Sequence, residues 1–256
     1  FILPVLIVFL LTLTSWENIW LLISLLVLIF LPITSYYLVK NINLDSREKT
    51  SETKVEEENI KQWKRSEVIK DYRFYIINLN MLAMPWIATG SFVYQSFISD
   101  SKGWGQYIIA QSFMSYSVLS VITLLISGFL IDKFTSRKLL IYMNIPLFLS
   151  VLTIIYFNLP FSAFIFFGLL GVTNGLANLL GSSIWAEIYG VKHIGSIKAL
   201  TTALMVFATA FGTALFGILI DNGFTIEKIA VVSGVYILAS ITALFFIRNR
   251  LNPVNM

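Results

Sequence analysis

Apolar positions in this chain run in long uninterrupted blocks. Seven of these contain no Asp, Glu, Lys, Arg or His: 18–39, 74–98, 106–131, 139–158, 161–184, 199–220 and 229–247. Crossing a ~30 Å hydrocarbon core takes about 20 residues of helix, so each block is long enough to span a bilayer. Lipid offers backbone N–H and C=O groups no partners, which leaves helices and closed barrels as the only spanning structures. Barrel strands alternate apolar and polar residues and these blocks do not, so seven helices are predicted. Phe1 to Leu13 is also apolar but too short to span, and reads as the remainder of a helix that begins before residue 1. It lacks the basic n-region and small-residue cleavage site of a signal peptide, showing Pro4 and Ser15-Trp16-Glu17 instead.

Composition agrees with a lipid solvent. Apolar residues make up 57% of the chain, charged residues 12%, and the mean hydropathy is +0.81, which excludes a soluble globular domain. No nucleic-acid partner is expected. With no cysteine there is neither a disulfide framework nor a thiolate metal site. The basic residues segregate by loop: nine lie in 40–73, three in 132–138, two in 185–198 and two in 248–256, while Lys102 and Lys228 alone fall on loops of the other parity. The positive-inside rule then puts the central loop and the C-terminus on the cytoplasmic side of a multi-pass protein, expected in a bacterial-type plasma (inner) membrane.

Segment 40–73 is the only linker of any length. Glu56-Glu57-Glu58 and the interleaved lysines read either as a mobile tether or as an amphipathic helix lying on anionic lipid through Lys61, Trp63, Lys64 and Arg65.

Between two of the apolar blocks stands Gly128-Phe-Leu-Ile-Asp132-Lys133-Phe-Thr-Ser-Arg137-Lys138. This turn resembles the G-x-x-x-D-[RK]-x-G-[RK]-[RK] signature of the major facilitator superfamily, departing from it at Thr135, where glycine is preferred, and at Ser136, often a base. The resemblance implies an all-α integral membrane protein with the major facilitator fold: one complete six-helix bundle plus the last one to two helices of the other. On that reading 1–39 is the end of the first bundle (a truncated fifth helix and the sixth), 40–73 the cytoplasmic central loop, 74–247 the second bundle and 248–256 a cytoplasmic tail. It further implies a gating role for the turn, with Asp132 against a helix N-terminus of the opposite bundle and Gly128, Lys133, Arg137 and Lys138 around it. The plainer alternative is that the bases only anchor topology. A second segment, Trp185 to Lys198, is similar to a turn in bacterial members related to monocarboxylate and oxalate–formate porters, through Glu187, Tyr189, Gly190, His193, Gly195 and Lys198.

Polar residues inside the blocks mark candidate cavity positions. At 100° per residue, Gly168, Gly171, Asn174, Gly175, Asn178, Gly181 and Ser182 share one helix face. Such a face serves either close helix packing or, through Asn174 and Asn178, a substrate path. Tyr75, Asn78, Pro85, Thr89 and Ser96 align likewise, and Pro85 invites a kink that makes Pro85 to Gly90 a hinge candidate. Gln111, Ser115, Tyr116 and Thr123 form another polar strip, and Thr202, Thr209, Gly212 and Thr213 a fourth.

No block holds a carboxylate, Lys, Arg or His, so any proton relay or buried cation facing an anionic substrate is expected outside them. His193, the only histidine, falls in a turn with no second ligand, and neither metal nor cofactor is expected. A membrane enzyme would need a nucleophile–base pair or paired acids at depth, and none is visible, so no enzymatic activity is expected. A non-transporting receptor or scaffold on the same fold stays open. The expected function is secondary transport of a small organic solute by alternating access between two helical bundles. Its partners would be the bilayer, the rest of its own chain and a co-transported or counter-transported ion.

Overall fold

The computed structural model describes residues 10, 13–40 and 61–252, and the chain divides into two units, Phe1–Glu58 and Asn59–Met256. Most of the expected helix remnant at Phe1–Leu13 lies outside the described residues, as do the surface helix expected around Glu56-Glu57-Glu58 and the last four residues of the tail. In the first unit, α1 (Trp16–Lys40) carries an internal Pro32. Near it Thr34 Oγ1 donates to the Phe30 carbonyl at 2.7 Å, hiding a hydroxyl that lipid could not satisfy.

The second unit is all helix among its described residues: α2 (Arg65–Val68), α3 (Tyr72–Met81), α4 (Ala83–Val93), α5 (Gln95–Lys102), α6 (Gln106–Phe134), α7 (Ser136–Tyr142), α8 (Ile145–Tyr156), α9 (Phe161–Tyr189), α10 (Ile194–Asp221), α11 (Ile226–Ile247) and a 3₁₀ turn at Arg248–Arg250. Counting α1, seven helical stretches are long and apolar enough to cross a membrane. Residues 61–64 form a docked segment and not part of the expected surface helix. Residues 61–64 are non-helical, Trp63 N–H donates to the Tyr189 carbonyl at 3.0 Å, and Lys61 Nζ sits 4.2 Å over the Trp63 ring.

Two predicted continuous spans are interrupted. Block 74–98 breaks at Leu82, between α3 and α4, and again at Tyr94. Proline at 85 has no N–H for the Met81 carbonyl and its ring crowds that turn, and the next bond, Trp86 N–H to Leu82 O, is stretched to 3.4 Å. The helix break thus lies one turn before Pro85. Block 139–158 breaks between α7 and α8 at Asn144, ahead of Pro146.

The two breaks satisfy each other. Asn144 Nδ2 donates to the Asn80 carbonyl at 2.6 Å and to Asn80 Oδ1 at 2.9 Å, while Asn80 Nδ2 donates to the Leu140 carbonyl at 3.2 Å. Each asparagine therefore serves a carbonyl near the other's interrupted turn, which matters where no water can. Both are fully buried. From α11, Tyr236 donates to the Leu79 carbonyl at 2.8 Å and Ser240 approaches Asn80 Oδ1 at 3.5 Å, joining a third helix to the knot.

Helix α9 is the central element, packed along α6 and flanked by α7 and α8; α11 closes on α8 and α3, and α10 on α4. The α6–α9 contact is backbone on backbone. A Cβ at Gly175 would stand 2.6 Å from the Ser120 carbonyl, and one at Gly171 would collide with the Tyr116 backbone. Only glycine permits that approach. The face predicted to hold all the small residues of α9 thus divides: Gly168, Gly171 and Gly175 form a seam against α6, and Asn174, Asn178, Gly181 and Ser182 border open space instead.

Candidate functional site: a polar-striped cavity and a charged bundle end

That open space is a cavity of about 450 Å³ bounded by α3, α4, α9, α10 and Tyr116 of α6. Volumes of this order hold small ligands. Along α9 it reaches from Asn174 to Trp185, about 16 Å of helix at 1.5 Å per residue. Of the predicted candidates it brings together Asn78, Pro85, Thr89, Tyr116, Asn174 and Asn178, with Thr202 as well. Gln111 and Thr209 stand outside it, and Thr209 instead gives its hydroxyl to the Val206 carbonyl at 2.7 Å.

Backbone and neighbour contacts fix how the amides are oriented. Asn78 Nδ2 donates to the Phe74 carbonyl at 2.7 Å, Asn178 Nδ2 to the Asn174 carbonyl at 2.9 Å, and Asn174 Nδ2 to Ser120 Oγ at 2.9 Å. Each amide thus has one N–H engaged, leaving a second N–H and a carbonyl oxygen for whatever enters. Much of the rest of the wall is apolar, with Met81, Met84, Ala88, Phe92, Ala177 and Met205, and Ser182, Thr201 and Thr202 add hydroxyls. Phe92 and Tyr116 are held edge to face, ring centroids 5.1 Å apart, which stiffens that side.

Charge also enters the wall. The charge-free block beginning at 199 excluded Lys198, yet α10 begins at Ile194, and Lys198 lines the cavity. Sequence reading placed it in the preceding turn because it equated the start of the span with the last charge before it.

At the end of the bundle where α6 passes into α7, the two signature segments meet. Arg137 Nε binds Glu187 Oε1, the other carboxylate oxygen accepts the Ser136 backbone N–H at 2.9 Å, and Ser136 Oγ lies 2.8 Å from Ser183 Oγ. Arg137 Nη1 also reaches Asn252 Oδ1 at 2.6 Å. Arg137 is therefore engaged by Glu187 and Asn252 and not by Asp132, which is exposed, as are Lys133 and Lys138; Lys133 lies 5.4 Å over the Phe134 ring. Around Gly128 and Gly195 a Cβ would meet nothing within 4 Å, so neither is required by close packing.

A neighbouring network was not foreseen, because its members read as linker charges. Arg73 pairs with Asp71 at 2.8 Å and donates to the Arg250 and Asn252 carbonyls, both at 3.1 Å; Tyr189 donates to Asp71 at 3.1 Å. Arg73 and Asp71 are both buried. Gly190, at φ +81°, turns the chain after α9, and there Lys192 N–H donates to Gln62 at 3.0 Å. His193 precedes α10, and no cluster of metal-ligating residues occurs among the described residues.

A family model described as Major Facilitator Superfamily matches residues 1–167 and 80–255. No curated protein and no solved structure matches. An all-helical chain with membrane-spanning lengths, a cavity walled by four of those spans and this match agree: the chain belongs to the major facilitator superfamily and is a multi-pass membrane transporter.

Proposed function

We propose that the chain moves a small organic solute by alternating access, with the cavity between α3–α4, α9 and α10 as this bundle's share of the solute path. The observation that carries the reading is the convergence of Asn78, Thr89, Tyr116, Asn174 and Asn178, from three spans, on one space of about 450 Å³. Mostly apolar walls with a few convergent polar groups are the usual make-up of a small-molecule site. On this reading 40–73 is the central loop, 74–247 the second bundle, and the basic loops face the cytoplasm in a bacterial-type inner membrane. The 128–138 turn, with Asp132, Lys133 and Lys138 exposed, serves the gate, and the likeness of 185–198 to porters of small organic acids points to the solute class. An accompanying ion would be handled elsewhere in the chain.

The test is flux in proteoliposomes. Asn174→Ala and Asn178→Ala should each raise the apparent transport constant while membrane abundance stays near wild type. Parallel loss of abundance and flux would return both residues to a packing role.

A further inference from the structure

Two arginines at one end of the bundle share an acceptor that follows α11. Arg73 Nη1 donates to the backbone carbonyls of Arg250 and Asn252, both at 3.1 Å, and Arg137 Nη1 donates to the Asn252 side-chain oxygen at 2.6 Å. Each guanidinium is also tied to the end of α9: Arg137 through Nε to Glu187, and Arg73 through Nε to Asp71, which accepts the Tyr189 hydroxyl at 3.1 Å. These contacts close a ring that runs from Asn252 through Arg137 and Glu187 to α9, and returns through Tyr189, Asp71 and Arg73. Leu251 seats the segment, buried in one apolar cluster with Phe74 of α3, Leu140 of α7 and Ile188 of α9. No local pattern marks the ring, since Asn252 lies 115 residues from Arg137 and 179 from Arg73.

We propose that Asn252 is a positioning residue for the gate: it locks the first turns of α3 and α7 to each other, so that the 128–138 turn moves together with residues 71–73 and not by itself. This rests on the reading of that turn as part of the gate. Without Asn252, and among the described residues, α3 and α7 would be hydrogen-bonded at this end only by way of α9. Their next mutual bond, Asn80 Nδ2 to the Leu140 carbonyl, lies about 10 Å deeper along α3. Bonds on both Nε and Nη1 fix the plane of the Arg137 guanidinium, whereas one bond would let it swing. Stability does not explain the contact. The Asn252 side chain is exposed and water competes for its bond, so the contact adds direction and little free energy. Because the side chain meets Arg137 and the backbone meets Arg73, a substitution cuts one link of the ring and leaves the other.

The test uses the full-length protein in lipid vesicles on a cysteine-free background and needs no solute. Nitroxide labels on Lys70→Cys and Lys138→Cys, two exposed sites outside the ring, report the distance between the ends of α3 and α7. In a second protein, Thr202→Cys in the cavity wall reports opening through its rate of reaction with N-ethylmaleimide. Asn252→Ala should widen the distance distribution and raise the maleimide rate at least about threefold, while abundance and melting temperature stay near wild type. Asn252→Asp keeps an acceptor oxygen for Arg137 and should restore both. Unchanged distances in Asn252→Ala would overturn the proposal, and a changed maleimide rate in Asp132→Asn would then leave the gate reading standing. Wider distances with an unchanged maleimide rate in both Asn252→Ala and Asp132→Asn would overturn both. A lower melting temperature in Asn252→Ala, with no recovery in Asn252→Asp, would make the residue structural and overturn the proposal.

Discussion

Arg137 and Glu187, fifty residues apart, hold the α6–α7 turn to the last turns of α9, and the same carboxylate takes the Ser136 backbone N–H at 2.9 Å. One carboxylate thus fixes both a side chain and a backbone position of the basic turn. About a fifth of each side chain is exposed (23% and 22%), so water screens the pair only partly. A double-mutant cycle with Arg137→Gln and Glu187→Gln should return a coupling of roughly 1–3 kcal/mol in detergent unfolding. Glu187→Gln alone should cost more than Lys138→Gln, which removes a charge with no ion pair among the described residues. Additive single effects would mean that the contact does not hold the turn.

The glycine expected in the signature is Thr135, and its backbone keeps a glycine-like conformation at φ +67°, ψ 150°. A β-branched residue there carries roughly 1–3 kcal/mol of strain. Thr135→Gly should relieve it, less the ~0.5–1 kcal/mol of extra chain entropy that glycine loses on folding. A net gain near 1 kcal/mol is expected in unfolding, with Thr135→Val showing none.

At the opposite end of the bundle, Lys102 is 1% exposed and gives its ammonium to Glu227 at 2.7 Å and Asn158 Oδ1 at 2.8 Å, whereas Glu227 is 40% exposed. Removing one partner should therefore be asymmetric. Glu227→Gln leaves a buried ammonium and should cost roughly 2–4 kcal/mol. Lys102→Met leaves a carboxylate that water can reach and should cost less than half of that. Equal costs would show that burial does not set the balance.

Glu67, at the head of the short helix α2, accepts the Lys64 backbone N–H at 2.8 Å and the Lys61 ammonium at 3.0 Å; the Lys64 bond first, and Lys61 next, hold its carboxyl below the usual range. A lowered acid adds stability above its unfolded value of about 4.3 and loses it as pH falls through the folded value. The difference in stability between wild type and Glu67→Gln should thus be flat from about pH 5 to neutrality and shrink as pH falls below about 4. A difference that grows on acidification would contradict it.

Orientation can be tested directly because the chain has no cysteine of its own. Ser101→Cys should react with an impermeant maleimide in intact cells, and Ser51→Cys only after permeabilisation. The reverse pattern would invert the proposed topology.

The spans were legible because lipid makes a simple demand on sequence: about 20 apolar residues in a row. The interruptions were half legible. Pro85 announced a kink, but its position depends on which turn the ring crowds, and the break at Asn144 depends on Asn80, 64 residues away. On α9 a helical wheel puts Gly171, Asn174, Gly175 and Asn178 on one broad face. Whether that face is one surface or two depends on where α6 lies, which no local pattern encodes. Charges misled in a different way. Treating them as the edges of spans put Glu187 and Lys198 in a turn, whereas both lie within helices.

The reciprocal capping of Asn80 and Asn144 bears on how this bundle can move. Sliding α3 past α7 and α8 by one turn, ~5.4 Å, would strip both amides of their acceptors, and sliding α11 would strip the Tyr236 hydroxyl of its own, in a region that water does not reach. Ratcheting among these helices is therefore closed to the bundle. Any change in the shape of its cavity has to come from tilting these helices as one piece, or from α10, which is held to α4 by close packing at Gly212 against the Trp86 backbone and, among the described residues, by no side-chain hydrogen bond between the two helices.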